Sequence, residues 1–348
     1  MNTIEYKASI DLDPMATTLG YSMRLKHFIF FSLRFVFSFF NIQSFEIQGH
    51  RGTRGILPEN SLPSFAATIE SGANAIELDI LVTKDSQLVV HHDFFVNKDL
   101  CTYIDGSPIC ETPLIHDLTL AEIKQIDCGS KKNSKFPRQT LIPGTQIPTL
   151  TEVFELINTS TDPNAQSIRL NIEIKVSLFN PNWTASPAEF AHLVVAAVNE
   201  SGLKDRIYYS SFNLEVLFEI RQLDPDAILG FIFEEETLVN AFDIDPENWL
   251  DFVIKNASDL NVNVISPDYN LLHSHEVNAL QSVGFSVIPW TVNDPTAISE
   301  LIDMGVNGVI TDYASDIIQF AEEYQRTRQR APDTFEGALE PALARLSR

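Results

Sequence analysis

Short apolar runs rich in Ile, Val, Leu and Phe recur along the chain, separated by longer stretches in which apolar residues return every three or four positions. The runs read as strands at 45–49, 75–80, 87–91, 168–174, 206–210, 228–233, 262–265, 285–289 and 307–310. The periodic stretches read as helices at 60–71, 150–158, 186–201, 213–222, 274–283, 294–303 and 314–323. Asp294-Pro295 supplies a helix start with proline in the first turn. Strand followed by helix, repeated in this way, predicts a parallel α/β fold. Two regions interrupt the alternation. Residues 94–149 carry prolines at 108, 113, 137, 143 and 148 and one helical stretch, Thr119 to Ile126, so they read as an insertion after the strand that leads to His92. Pro225 to Asn256 reads as irregular around its strand, with Glu234-Glu235-Glu236 as a solvated acidic face.

Polar residues break into the apolar runs at chosen places. In Ala75-Ile76-Glu77-Leu78-Asp79-Ile80 the period of a strand puts Glu77 and Asp79 on one face and Ile76, Leu78 and Ile80 on the other. By the same rule Asn171, Glu173 and Lys175 share a face, opposite Ile172 and Ile174. Carboxylates held this close raise one another's pKa unless a cation sits between them. Glu77, Asp79 and Glu173 offer oxygen ligands with no cysteine nearby, a set that suits Ca²⁺ or Mg²⁺ better than zinc. Such an ion polarises a phosphoryl oxygen. His50 and His92 end two different strands and fit a general base and a general acid flanking a phosphate, while Arg51 and Lys175 fit clamps on its oxygens.

Taken in order, His50-Arg51-Gly52, Pro58-Glu59-Asn60-Ser61, Glu77-Leu78-Asp79, Thr83-Lys84-Asp85, Val89-Val90-His91-His92-Asp93, Glu173-Ile174-Lys175, Trp290-Thr291-Val292-Asn293 and Thr311-Asp312 resemble the motif series of the glycerophosphodiester phosphodiesterases. The resemblance covers residues 45 to 325. It implies a TIM (β/α)8-type barrel with an insertion after the His92 strand, one divalent cation, and cleavage of glycerophosphodiesters to sn-glycerol 3-phosphate and an alcohol. It implies catalytic roles for His50 and His92, metal ligation by Glu77, Asp79 and Glu173, and phosphate binding by Arg51 and Lys175. Glu59, Asn60 and Trp290 are second-tier candidates. Asn60 also suits the N-cap of the following helix, and Trp290 is either core or a wall against the glycerol. Ser61 stands where the family more often has Thr, and the doubled His91-His92 leaves the catalytic histidine to strand register, which turns His91 away from the site. Nine strand candidates are one more than the barrel needs, and 262–265 has the weakest pattern. A lysophospholipase D-type phosphodiesterase and a non-catalytic metal-binding surface protein are the alternatives. An acid and base pair is superfluous in a pure binder.

Composition narrows the partners. The net charge is −23, and because residues 1–44 hold four basic against three acidic side chains, the remainder carries −24. That excess argues against nucleic acid and leaves small-molecule diesters, drawn in by a local cationic site, as the substrate class. Residues 27–42 are mostly Phe, Ile, Leu and Val. Read from Met23, with Arg24 and Lys26, residues 1–44 end in the pattern of a signal peptide and predict export to the periplasm or outside the cell. The other reading is an apolar helix packed on the barrel in a cytoplasmic protein. Membrane association is expected through this segment only. Cys101 and Cys110 bracket an Asp105-Gly106 turn that predicts a disulfide between them with Cys128 left over, against a reading with three buried or free thiols. Residues 326–348, with five arginines after Tyr324, read as a mobile tail.

Overall fold

The computed structural model describes residues 45–330. Strands β1 (Glu46–Gly49), β2 (Ala75–Val82), β3 (Leu88–Val90), β4 (Thr102–Tyr103), β5 (Ile126–Asp127), β6 (Arg169–Ile174), β7 (Ile207–Ser211), β8 (Ile228–Phe233), β9 (Val264–Pro267), β10 (Ser286–Val287) and β11 (Gly308–Thr311) follow in chain order. Helices are α1 (Leu62–Glu70), α2 (Leu120–Ile123), α3 (Leu150–Thr159), α4 (Pro187–Glu200), α5 (Leu214–Leu223), α6 (Glu235–Phe242), α7 (Trp249–Asp259), α8 (Ser274–Val283), α9 (Pro295–Met304) and α10 (Ala314–Arg330).

The main sheet runs β10-β9-β8-β7-β6-β2-β1-β11, every neighbour parallel. No ladder joins its two ends. Three backbone bonds of 2.9 Å, Asn307 N to Val287 O, Ile310 N to Pro289 O and Val292 N to Ile310 O, bring them together. The result is the nearly closed eight-stranded barrel that the motif series implies. Helices cover the outside, so the strands are buried on both faces, all eight residues of β2 among them. Helix starts follow side-chain chemistry. Asp294 accepts from Thr296 N at 2.8 Å and Ala297 N at 3.0 Å, and Thr149 forms a reciprocal cap with Glu152.

The supernumerary strand is 88–90, not 262–265. β3 runs antiparallel to β2, pairing Ile80 with Val90 and Val82 with Leu88. It occupies the edge that β1 leaves when its pairing with β2 stops at Gly49–Ile76. The weak 262–265 pattern becomes the barrel strand β9, held between β8 and β10. Its polar Ser266 is fully buried, which is why periodicity understated it. The irregular reading of 225–256 is also corrected, because α6 and most of α7 lie there. Glu235 and Glu236 occupy the first turn of α6, where carboxylates favour the helix dipole. Trp249, Val253 and Ala257 line the buried stripe of α7 at four-residue spacing. α10 continues to Arg330, so residues 326–330 of the assigned tail are helical. Residues 1–44, including the export segment, and 331–348 lie outside the described residues.

The insertion packs Val96, Ile115, Ile123 and Ile147 against Leu81 of β2 and Val89 of β3, in a small core of its own. Here the disulfide expectation is corrected. The Asp105-Gly106 turn forms, with Gly106 at φ +82°, but its register pairs Thr102 with Pro108. That places Ile109, not Cys110, opposite Cys101; a one-residue slip moves a side chain to the other face. Cys110 is exposed and free. Cys101 instead bonds Cys128, its neighbour across the β4–β5 pairing of Thr102 with Asp127. Closing a loop with a sequence separation of 27 stabilises the fold by about 3–4 kcal/mol on chain-entropy grounds.

Candidate active site

Parallel register brings the acids together. β2 pairs with β6 so that Asp79 lies beside Glu173 and Glu77 beside Asn171, and paired residues of parallel strands project from the same face. Oxygens of Glu77, Asp79 and Glu173 all lie within 4.8 Å of one another, and all three residues are buried. Burial, then Asp79 and Glu173, push the Glu77 carboxyl well above its ordinary range. Burial also raises Glu173, partly offset by Lys175. For Asp79 burial acts upward but His92, Arg51 and Lys175 outweigh it, and its pKa falls. Glu77 Oε1 and Asp79 Oδ1 are buried without a hydrogen-bond donor. Native proteins rarely leave carboxylate oxygens so, and the cluster fits a hard divalent cation that would take both.

Around the cluster stand the cations. The chain leaves β1 through a tight turn in which Arg51 has φ 50° and Gly52 φ 85°; a Cβ at Gly52 would lie 2.3 Å from Ser64 Oγ. This turn folds the Arg51 N–H onto Glu77 Oε2 at 2.8 Å. The Arg51 guanidinium lies 2.8 Å from Glu59 Oε1 and 3.3 Å from Asp79 Oδ2. Burial alone would lower the pKa of Arg51, but Glu59, Asp79 and Glu77 raise it, so it stays charged. Lys175 Nζ sits 2.7 Å from Glu173 Oε1, 3.6 Å from Asp79 Oδ1 and 5.6 Å from the Phe212 ring centre. Asn60 departs from its expected capping role. Ser61 caps α1, and Asn60, at φ 51°, turns inward and donates to Asp79 Oδ2 at 2.9 Å.

Both histidines are held by carboxylates that sequence reasoning assigned no role. His50 Nδ1 is 2.8 Å from Asp312 Oδ1, which Arg54 Nε also approaches at 2.5 Å, while Asn293 donates to Asp312 Oδ2 at 2.7 Å. His50 Nε2 faces Glu77 at 3.9 Å. His92 Nδ1 is 2.7 Å from Asp93 Oδ1. Burial first, then Arg54 for His50 and Lys175 for His92, lowers each imidazole to about 4. Each ring is therefore neutral near pH 7. A carboxylate only accepts, so Nδ1 carries the proton and Nε2 is left with its lone pair. Thr311-Asp312 and His92-Asp93 were visible as motifs, and the pairing rule for a ring nitrogen was the signal to look for their partners.

His50, Arg51, Glu77, His92, Glu173 and Lys175 open into one cavity of about 780 Å³. Much of its remaining wall is aromatic. Trp183 lies 5.9 Å from Phe94 and 5.0 Å from Phe95, and Trp290 lies 5.7 Å from Phe212 between ring centres. Trp290 thus lines the cavity while its indole N–H donates to Ser266 O. Glu234, read as part of a solvated run, is half-buried and lines the cavity too. His91 turns away and meets Phe95 O at 3.3 Å. Asn171 belongs to a polar floor, donating to Gln48 Oε1 at 3.0 Å and accepting from Ser210 Oγ at 2.6 Å.

The profile of the Glycerophosphoryl diester phosphodiesterase family matches residues 50–315. The chain belongs to this family. It is 31% identical over 274 residues to the glycerophosphodiester phosphodiesterase of Caldanaerobacter subterraneus subsp. tengcongensis, covering 79% of this chain and 96% of that one. A lysophospholipase D of Rattus norvegicus is 25% identical over 287 residues, with 78% and 84% covered. A crystal structure assigned to the glycerophosphoryl diester phosphodiesterases, from Silicibacter pomeroyi DSS-3, superposes with a TM-score of 0.71 at 27% identity, covering 79% of this chain and 92% of that one. The enzyme is therefore a phosphodiesterase, and its candidate site residues come from β2 and β6 and from the segments that follow β1, β3, β6, β10 and β11.

Proposed function

We propose that this enzyme hydrolyses glycerophosphodiesters to sn-glycerol 3-phosphate and an alcohol through His50 and His92, with Arg51 and Lys175 holding the phosphate. The observation that carries the reading is the convergence, at one cavity, of two carboxylate-oriented neutral imidazoles, two cations and a carboxylate cluster in which two buried oxygens accept no hydrogen bond. Glu77, Asp79 and Glu173 would hold Ca²⁺ or Mg²⁺. When bound, the ion supplies Lewis-acid polarisation of a phosphoryl oxygen and offsets the mutual repulsion of its ligands.

The chain's own groups do the rest. Arg51 and Lys175 orient the diester anion and stabilise charge that grows on its oxygens. The free Nε2 of one imidazole accepts the proton of the attacking oxygen, that of water or of the substrate's own glycerol hydroxyl; a cyclic phosphate formed in the second case is then opened by water with the ring roles reversed. The anionic phosphate between the rings favours protonation of the other, which then protonates the departing alkoxide. Asp312 and Asp93 keep both rings in the tautomer this needs. A coupled assay for glycerol 3-phosphate over a panel of diesters, with chelator and with Ca²⁺ or Mg²⁺ restored, tests the reading; no glycerol 3-phosphate from any diester would overturn it.

The apolar wall of Phe94, Phe95 and Trp183 favours a second substrate reading, in which the leaving alcohol carries a hydrocarbon chain. Lysophospholipids belong in the same panel, and a kcat/KM no better for them than for chain-free diesters would discard it.

We also propose export. The basic start at Met23, the Phe-rich run after it and the Cys101–Cys128 disulfide all suit an oxidising compartment. N-terminal sequencing of protein from its native source is expected to begin near Phe45. Protein recovered from the cytosol with residues 23–44 retained would refute this.

A further inference from the structure

The two imidazoles are supported differently. His50 leans on Asp312, itself 1% exposed, which Asn293 and Arg54 hold from the loops after β10 and β1. His92 leans on Asp93, whose side chain is 43% exposed and so free to turn toward water unless something retains it. Its second oxygen accepts from Asn97 Nδ2 at 2.9 Å. Asn97 is itself fastened at three points. Its Oδ1 accepts the Asp99 N–H at 3.1 Å, and its carbonyl accepts those of Leu100 at 3.1 Å and Cys101 at 2.8 Å. Cys101 is buried and covalently tied to Cys128, whose N–H bonds Thr145 O at 2.8 Å. Each hydrogen bond in this path is 2.8 to 3.1 Å long, and the path ends in the insertion's own core.

We propose that Asn97, anchored by the Cys101–Cys128 disulfide, is a positioning residue for the chemical step. It retains Asp93 in the one orientation that keeps the His92 ring, and its free nitrogen, directed at the substrate. The insertion is thereby part of the catalytic apparatus as well as a wall of the cavity. This rests on the acid–base reading of His92. A ring displaced by an ångström loses proton-transfer geometry without losing the phosphate clamps, which sit on other elements.

A double-mutant cycle decides it, with kcat and KM measured for Asn97→Ala, His92→Ala and the pair, at enzyme concentrations high enough to follow the slow variants. Asn97→Ala is expected to lower kcat about 10- to 100-fold with KM changed less than about twofold, and to have no further effect on kcat once His92 is Ala. The Cys101→Ser/Cys128→Ser variant, or the folded wild-type enzyme after reduction if that variant fails to fold, is expected to repeat this pattern. Equal losses in both backgrounds would show a general structural role and overturn the proposal. A raised KM with normal kcat would make Asn97 a substrate contact and overturn it as well. Normal kcat for Asn97→Ala beside an inactive His92→Ala would sink the positioning role alone. Normal turnover of His92→Ala would sink the acid–base reading and the positioning role together.

Discussion

Chelation of divalent cations is expected to abolish hydrolysis, and Glu77→Gln to weaken metal binding about 100-fold or more. Glu77, Asp79 and Glu173 lie within 4.8 Å of one another in a buried layer, and one oxygen of Glu77 has no protein donor. The same substitution is expected to act oppositely on the metal-free protein. Burial and its two acidic neighbours hold the Glu77 carboxyl well above its ordinary range, so a neutral amide of equal size removes repulsion while still accepting from Arg51 N. Thermal unfolding should therefore show Glu77→Gln at least as stable as wild type without metal. At a metal concentration about 100 times Kd the wild type should gain about 2.7 kcal/mol, and the variant much less. The cation competes with protons at Glu77 and Glu173, whose pKa values are both raised, so affinity should fall as pH falls and binding should release protons. Calorimetry in buffers of different ionisation enthalpy reads that release. Full activity in excess EDTA, or equal metal-induced stabilisation of both proteins, would contradict the assignment.

Replacing His50 or His92 by Ala is expected to lower kcat about 10²- to 10⁴-fold with a much smaller change in substrate affinity. The imidazoles move protons, a task confined to the transition state, whereas the phosphate is held before it by the cations. Arg51→Ala should therefore weaken binding as well as turnover, since its charge-assisted contact exists in the ground state. Steady-state kinetics joined to direct titration of glycerol 3-phosphate on the three variants separates the cases. Near-normal turnover of both histidine variants would overturn the acid and base assignment and move proton transfer to other groups of the site.

The sequence's clearest signals were those of local origin. β2 shows its two acids on one face because strand period is a property of consecutive residues, and the same holds for Glu173 and Lys175 along and just beyond β6. What period cannot express is which strand lies beside which. The pairing of Asp79 with Glu173 brings two distant segments into contact, and the motif order implied it only through the family resemblance. The failures have the same cause. The apolar run at 87–91 is as strand-like as any barrel strand, and only the vacant edge of β2 makes it an antiparallel partner. β9 hides a buried serine, and α6 ends on Asp243 at φ 54° where a glycine would have signalled the stop.

By itself, then, the sequence determined the βα alternation, the residue types available for proton transfer and phosphate binding, and the family to which their order belongs. Tertiary structure decided the partners. It set Asp312 against His50 across a sequence separation of 262, turned Asn60 from a helix cap into a donor to Asp79, and shifted the disulfide from Cys110 to Cys128 by one residue of hairpin register. The physical reason is that side-chain chemistry and strand period are local, whereas register, burial and the sharing of a carboxylate exist only once the ring of strands has brought distant residues together.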